Sequence, residues 1–140
     1  MHDLAIIVVS TNEAHWIRPC LRTVLPRLEG MEADVVVVDN SSRDGVRQMV
    51  EEEFRGARVV TSENHGFSHA NNRALMTCDA RYVLFLNPDT EWFHGTLAEL
   101  VEVAASYRRA GIIGPMIRNP DGSVYPSGRT FPSLRPGWAM

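Results

Sequence analysis

Short apolar runs recur along the chain, and the segments between them have a different periodicity. The run LAIIVVS, residues 4–10, and the run DVVVVD, residues 34–39, contain β-branched residues without polar alternation. Runs of this kind are typical of strands that are buried on both faces, as in parallel sheets. The same interpretation applies to three later runs: ARVVTS (57–62), RYVLFLN (81–87) and AGIIGPMI (110–117).

Helical periodicity occupies the segments between these runs. Residues 11–28 contain Pro19, which predicts a late start or a kink in the first helix. The third helical segment, residues 66–78, is shorter than the first, and its N-terminal part is polar. The fourth, residues 95–111, ends with Arg108, Arg109 and the stop residue Gly111. The predicted inward stripes are Trp16, Ile17, Cys20, Leu21, Val24 and Leu25; Val46, Met49, Val50 and Phe54; and Leu97, Leu100, Val101 and Ala104.

The alternation of strands and helices predicts an α/β domain with a mostly parallel sheet and right-handed crossovers. After Arg118 this pattern ends. Residues 119–123, NPDGS, form a turn sequence, and the remainder is rich in proline and lacks periodicity. We therefore expect the domain to span residues 1–118. The tail, residues 119–140, is expected to lead to a region that this chain does not contain.

Composition and charge are those of an ordinary globular protein. The 140 residues carry a formal net charge of −3, which gives no basic surface for nucleic acid. The N-terminus has no signal-peptide pattern, and no apolar run approaches the ~20 residues of a membrane span, so we expect a cytoplasmic protein. Cys20 and Cys78 lie among apolar neighbours and outside a C-x-x-C spacing, which predicts buried thiols rather than a disulfide or metal pair.

Polar residues follow each of the first four predicted strands. They form the segments STNE (10–13), DNSS (39–42), ENHG (63–66) and NPDT (87–90). In open parallel sheets, ligands bind beyond the carboxyl ends of the strands, where these segments would meet. Asn, Asp, Ser and Thr are also common helix caps and turn formers, so each segment alone is equally well explained as a cap. Four such segments at one edge favour a binding site.

Two common phosphate-binding motifs are missing from the sequence. No G-x-G-x-x-G follows the first strand, and no G-x-x-x-x-G-K-[ST] occurs. Asp89, just beyond a predicted buried strand, instead suggests a Mg²⁺ or Mn²⁺ ion, because these ions prefer hard oxygen ligands. Mg²⁺ typically takes one or two protein carboxylates, and phosphate oxygens and waters complete its shell. A lone Asp89 therefore fits a metal–diphosphate site better than a closed protein cage.

The same segments resemble those of a known family. VVSTNE (8–13), VVVVDNSSRDG (35–45), NHGFSHANNRAL (64–75) and LFLNPDT (84–90) are similar, in this order, to the signatures of family 2 glycosyltransferases with the GT-A fold. NPD in place of the more usual D-x-D resembles the rhamnosyltransferase-like branch, and the likeness runs from Leu4 to about Pro132. The resemblance implies a Rossmann-like, mostly parallel sheet flanked by helices, with residues 1–118 as the nucleotide-sugar-binding subdomain.

The resemblance also implies roles for individual residues. Thr11 and Glu13 would line the nucleotide pocket, and Asp39 would accept a hydrogen bond from a pyrimidine N–H. Asn87 stands where the family usually has the first Asp of D-x-D, near the ribose or the metal shell, and as an amide it adds no charge. Asp89 would be the metal ligand.

A second matching segment covers the third helix. Asn64, Gly66, Asn71 and Arg73 match the family's N-x-G-F…N segment and would bind substrate. Gly66 would allow the backbone to approach the ligand closely, and Arg73 would pair with a phosphate through its forked guanidinium. A solvated helix surface is an equally good interpretation of Arg73. His65 and His69 flank the segment, and exposed loop histidines are more often solvated than catalytic.

The implied reaction is an inverting transfer of a sugar, with rhamnose one candidate, from a UDP- or dTDP-sugar to a glycan or lipid-linked acceptor. Such a transfer needs a general base near the acceptor hydroxyl. The family takes this base from an E-D type motif further along the chain, and none follows Arg118, since Asp121 lies in the predicted turn. We therefore expect this chain to be the donor-binding half of a metal-dependent enzyme. A lipid-linked acceptor would bring it to the inner face of the membrane as a peripheral protein.

Three alternatives remain open. A sugar nucleotidyltransferase would need a Gly-rich loop with Arg and Lys after the first strand, where this chain has STNEAHW. A non-catalytic module that binds nucleotide sugars would share the fold without the reaction. A purely structural interpretation treats every polar segment as a cap and predicts no nucleotide binding.

Overall fold

The computed structural model describes residues 1–28 and 30–128. The chain divides into two compact units, Met1–Tyr107 and Arg108–Met140. The proline-rich end of the predicted tail, residues 129–140, lies outside the described residues. The proposed functional boundary near residue 118 stays a prediction.

The first unit is built on a four-stranded sheet with the strand order β3-β2-β1-β4, in which every pairing is parallel. This arrangement confirms the predicted α/β class. A helical segment connects each strand to the next one along the chain, as parallel strands require. The strands are β1 (His2–Ser10), β2 (Ala33–Asn40), β3 (Ala57–Ser62) and β4 (Ala80–Leu86).

Both faces of the central strands are covered. Val35 and Val37 of β2 pack into the core cluster that includes the first two helices, whereas Val36 and Val38 pack into the cluster on the opposite face. This burial explains why β1 and β2 lack polar alternation. β4 differs, because it is an edge strand and Phe85 is 52% exposed. The expectation of burial on both faces is therefore wrong for β4, and it is also wrong for β3, the other edge strand, where Thr61 is exposed.

The helices are α1 (Ala14–Val24), α2 (Val46–Glu53), α3 (Phe67–Leu75) and α4 (Leu97–Ser106), and a 3₁₀ helix, Leu25–Leu28, extends α1. α1 contains Pro19 within its span, so it does not begin after the proline. Its buried residues are Ile17, Cys20, Leu21 and Val24. Trp16, predicted on the same stripe, is 46% exposed, because it lies at the margin of the buried stripe. None of the described helices has the length and apolar character needed to cross a bilayer.

Two predictions for the region after β4 are wrong. α4 begins at a capping box formed by Thr96 and Glu99, but it ends at Ser106 instead of reaching Gly111, since Tyr107 leaves the helical conformation. The apolar run 110–117 forms no strand in the described structure. A strand needs a ladder partner, and the bridge found here is an isolated one between Arg118 and Val124, across the predicted NPDGS turn. That turn is closed by Gly122 N donating to Asn119 O at 2.9 Å.

Candidate functional site

The carboxyl end of the sheet contains a cleft of about 320 Å³. Five of the predicted site residues line it, and they come from the segments that follow β1, β3 and β4. They are joined by Asn40, at the end of β2, and by apolar residues from the strand and helix ends. The lining consists of Val9, Thr11, Glu13, Asn40, Asn64, Phe67, Asn87, Pro88 and Asp89.

Asn40 connects the segments that surround the cleft. Its side chain is buried, with 3% exposure, and its Nδ2 donates to Thr11 Oγ1 and to Asn64 Oδ1, each at 3.1 Å. Asn64 Oδ1 also accepts from Gly66 N at 3.3 Å. Because a backbone N–H can only donate, this contact orients the Asn64 amide and requires Asn40 to present its Nδ2. One buried amide therefore ties the segments after β1 and β3 together.

Sequence reasoning missed Asn40 as a site residue, although the alternation of side chains along a strand gives the signal for it. Successive side chains point to opposite faces, so Asp39 and Asn40 diverge. Asp39 is not part of the cleft lining, and its Oδ1 accepts from Ser42 N at 2.8 Å. The resemblance pointed to Asp39, whereas the structure brings Asn40 to the cleft.

Other polar residues after β1 and β2 build the loops themselves. Ser42 Oγ donates to Ser10 O at 3.2 Å and accepts from Asn12 N at 3.1 Å, while Asn12 Oδ1 accepts from Arg43 N at 2.8 Å. Asn12 adopts a left-handed backbone conformation with φ 60°, which Asn tolerates better than most residues. These residues therefore act as turn formers. A role in ligand binding remains open for the residues that line the cleft.

Asp89 is presented by a tight turn at the end of β4. Asn87 O accepts from Thr90 N at 3.3 Å and from Thr90 Oγ1 at 2.7 Å, which closes the four-residue turn. Within the turn, Pro88 is buried and Asp89 is exposed, and both line the cleft. The turn thus fixes the backbone that carries the Asp89 carboxylate at the cleft.

The donor groups around Asp89 fit a metal ion that substrate completes. Asp89, Glu13 and Asn87 supply carboxylate and amide oxygens to the same cleft, which suits Mg²⁺ or Mn²⁺. Among residues 1–28 and 30–128, no group of three or more His, Cys, Asp or Glu residues is arranged to hold a metal alone. The chemistry of the site therefore matches a shared protein–phosphate shell and does not match a closed cage.

The predicted residues of α3 lie apart from the cleft lining. Asn71 is buried and its Nδ2 donates to Phe67 O at 3.0 Å, within the helix. Arg73 is exposed in the last turn of α3, and the helix runs away from the carboxyl edge that its first residue, Phe67, helps to line. The structure does not bring Arg73 to the cleft. His65 is exposed and its Nε2 lies 3.0 Å from Glu63 Oε2.

Three buried polar atoms have no hydrogen-bond partner among the described residues, and two of them lie at this edge of the sheet. They are Ser10 Oγ, Asn40 Oδ1 and Asn71 Oδ1. Ser10 and Asn40 are the final residues of β1 and β2. An unpaired buried polar group costs stability, about 1–3 kcal/mol. An unpaired buried polar group in a native protein is expected to have an explanation in function or in ordered water.

Neither cysteine is chemically activated. Burial raises the pKa of the Cys20 thiol to about 12, so the group stays protonated. Burial also raises the pKa of the half-buried Cys78. Both thiols are unpaired, as predicted, although Cys78 is less buried than expected.

Asp121, in the second unit, has the properties of a turn residue. Its Oδ1 accepts from Ser123 Oγ at 2.6 Å and from Ser123 N at 2.8 Å. These hydrogen bonds lower the pKa of Asp121. A carboxylate held in this way is a weak general base, in agreement with the sequence argument against this residue.

Comparison with known proteins identifies relatives of this chain. The family model described as Glycosyl transferase family 2 matches residues 5–136. The N-acetylglucosaminyl-diphospho-decaprenol L-rhamnosyltransferase of Mycobacterium tuberculosis (strain ATCC 25618 / H37Rv) is 39% identical over 112 residues, covering 71% of this chain and 36% of the relative. The putative teichuronic acid biosynthesis glycosyltransferase TuaG of Bacillus subtilis (strain 168) is 29% identical over 103 residues, covering 71% of this chain and 40% of that protein.

Solved structures that superpose on this chain include TarS. The crystal structure of S. aureus TarS superposes with a TM-score of 0.65 at 26% identity, covering 75% of this chain and 20% of that chain. TarS 1–349 in complex with UDP-GlcNAc superposes with a TM-score of 0.60 at 26% identity, covering 76% of this chain and 31% of that chain. The present chain spans well under half the length of the curated relatives it matches.

Proposed function

The chain belongs to glycosyltransferase family 2, and on that premise we propose that its cleft binds the nucleotide diphosphate of a sugar donor, together with a divalent metal ion at Asp89. The observation that carries this proposal is the turn that closes on Asn87 O and holds the Asp89 carboxylate exposed in the cleft. The exposed Asp89 and the neighbouring Asn87 amide offer oxygen ligands to a metal whose remaining positions the diphosphate would fill.

The other cleft residues are proposed to hold the nucleotide. Thr11 and Asn64 are fixed by the Asn40 amide, and Glu13 accepts from Thr11 N at 3.3 Å. Their hydroxyl, amide and carboxylate groups supply the few placed polar contacts that orient a ligand in a cleft. Roles for Asp39, Gly66, Asn71 and Arg73 in substrate binding stay predictions from the family resemblance.

The proposed reaction is the transfer of a sugar from a UDP- or dTDP-sugar to a glycan or lipid-linked acceptor. The names of the mycobacterial rhamnosyltransferase and of the TarS complex with UDP-GlcNAc support these classes of acceptor and donor. When bound, the metal would act as a Lewis acid on the leaving diphosphate. Asp89 would orient it, and Asn40 would keep Thr11 and Asn64 in place. We propose that the general base is supplied from outside these 140 residues, since Asp121 is engaged by Ser123.

Calorimetric titration tests the donor site. The chain is titrated with UDP and dTDP in the presence of Mn²⁺ or Mg²⁺, and again with chelator. Metal-dependent binding is expected, and Asp89→Asn should remove the metal dependence while leaving weaker metal-independent binding. Asp121→Asn is the matched control, because it removes an exposed turn carboxylate in the second unit. Equal metal dependence in Asp89→Asn and the unmodified chain would contradict the assignment of Asp89.

A donor-hydrolysis assay separates an enzyme from a binding module. Slow metal-dependent release of UDP or dTDP from the nucleotide sugar, with water as acceptor, is expected of a transferase donor site. Tight binding without any release, even when the full-length protein and an acceptor glycan are supplied, would favour the non-catalytic module. Absence of nucleotide binding under every condition would favour the structural interpretation of the polar segments.

A further inference from the structure

The segment that follows Asp89 is attached to α1 through one side chain. Thr23 Oγ1 accepts a hydrogen bond from Trp92 N at 3.0 Å. The same hydroxyl donates to Cys20 O at 2.9 Å, one turn earlier in the helix. A threonine hydroxyl has one donor hydrogen and two acceptor positions, so it satisfies both contacts at once. The Trp92 backbone is thereby joined to a helix that packs into the main core.

The contacts around Thr23 leave the Asp89 segment little freedom. Asn87 is held on one side of Asp89 by the Thr90 hydroxyl, at 2.7 Å from its carbonyl. Trp92 is held on the other side by Thr23. Because the Thr90 contact lies within the turn itself, the segment is attached to the rest of the fold by β4, which ends at Leu86, and by the Thr23 contact at Trp92, with the five residues 87–91 between them. Loss of the Thr23 contact would therefore lengthen the stretch between attachments that carries the Asp89 carboxylate.

We propose that Thr23 is a positioning residue for Asp89, which fixes the segment carrying the metal-binding carboxylate and thereby sets the metal affinity of the donor site. This inference rests on the proposed function. Groups that orient a metal ligand through hydrogen bonds affect metal affinity strongly, typically by 10–100-fold when they are removed. Thr23 acts three residues away from the ligand, so the effect expected here is smaller.

The chain offers a matched control threonine. Thr77 Oγ1 donates to Ala74 O at 2.8 Å, three residues earlier in the chain, and accepts from Arg58 at 2.9 Å. Like the Thr23 hydroxyl, it therefore makes one donated and one accepted hydrogen bond, although the group that donates to it is a guanidinium and not a backbone N–H. Thr77 lies shortly before β4 begins, at the end of the sheet opposite the cleft. Replacing it removes a comparable hydrogen-bonding group without approaching Asp89.

The test compares Thr23→Val, which keeps the shape and removes the hydroxyl, with Thr23→Ser, which keeps the hydroxyl. Thr23→Val is expected to raise the Mn²⁺ concentration at half-maximal UDP binding by roughly 3–10-fold. UDP affinity in chelator should stay within about twofold of that of the unmodified chain. Thr23→Ser and Thr77→Val should both retain the unmodified metal dependence.

A second readout needs no metal. Hydrogen exchange of the Trp92 amide in the metal-free chain should be accelerated about tenfold or more by Thr23→Val and remain slow in Thr23→Ser. Unchanged exchange in Thr23→Val would overturn the inference, as would equal loss of UDP affinity with and without metal, which indicates a general structural effect. If the unmodified chain binds UDP without any metal dependence, the proposed function and this inference both fail. Normal metal dependence that Thr23→Val leaves unaltered refutes the inference alone.

Discussion

Replacing Asn40 by leucine should separate the stability of the domain from its affinity for nucleotide. Leucine has a similar size and is compatible with a buried strand end. The substitution removes the two hydrogen bonds from Nδ2 to Thr11 Oγ1 and Asn64 Oδ1, each 3.1 Å long. It also removes an Oδ1 atom that is buried without a partner among the described residues.

The two effects on stability oppose each other. Two neutral hydrogen bonds contribute about 2 kcal/mol together, at about 1 kcal/mol each. Removal of an unpaired buried oxygen returns about 1–3 kcal/mol. The free energy of unfolding of Asn40→Leu should therefore stay within about 1 kcal/mol of that of the unmodified chain.

The effect on nucleotide binding has no such compensation. Without the Asn40 amide, Thr11 and Asn64 are no longer held in one arrangement before the ligand arrives. Ordering a side chain on binding costs about 0.5–1.5 kcal/mol, so two side chains cost about 1–3 kcal/mol. The dissociation constant for UDP should therefore rise by roughly 5–150-fold.

Calorimetric titration with UDP and urea-induced unfolding measure the two quantities on the same protein. Ser62→Ala is the control, because Ser62 is also buried at the carboxyl end of the sheet but its Oγ contacts the adjacent Glu63 O and does not line the cleft. Its UDP affinity should remain within about twofold of that of the unmodified chain. An Asn40→Leu protein with unchanged affinity refutes the argument. Destabilisation by more than about 3 kcal/mol would show that Asn40 acts mainly on the fold.

Three further predictions concern the scaffold. The hydrogen bond from Arg58 lowers the pKa of Asp34 in the folded state. The ion pair therefore stabilises the fold above the unfolded-state pKa of Asp34, and this stabilisation is lost as the pH falls through the folded-state pKa. In Asp34→Asn, the free energy of unfolding should therefore depend less on pH below about pH 4. At neutral pH, the substitution should lower that free energy by about 1 kcal/mol. Thr96→Ala removes the α4 N-cap and should lower the free energy of unfolding by about 1 kcal/mol in chemical denaturation. The Cys20 thiol, with a pKa raised to about 12 by burial, should resist alkylation at pH 8 until denaturant is added, whereas the half-buried Cys78 should react first.

Much of the fold follows from the sequence because its signals are local. Uninterrupted β-branched runs predicted β1 and β2, and the helical stripe of Ile17, Cys20, Leu21 and Val24 is the buried face of α1. The apolar run 110–117 carried a similar signal and was misinterpreted. Apolar composition indicates that a segment can be buried in a sheet, but pairing depends on which neighbour is available, and that is a property of the whole fold.

The sequence alone determined the family, the α/β class and the concentration of polar groups beyond the strand ends. These features depend on residue order and on the geometry of parallel sheets. The tertiary structure decided which of those polar groups share the cleft. Asp39 and Asn40 are neighbours in sequence, but their side chains point to opposite faces of the strand. The Asn40 amide therefore lines the cleft, whereas the Asp39 carboxylate accepts a hydrogen bond from Ser42 N. The hydrogen bond between Thr23 and Trp92 joins residues that are 69 positions apart in the sequence. No local sequence pattern predicts it, because the contact forms only when α1 and the segment after β4 pack together.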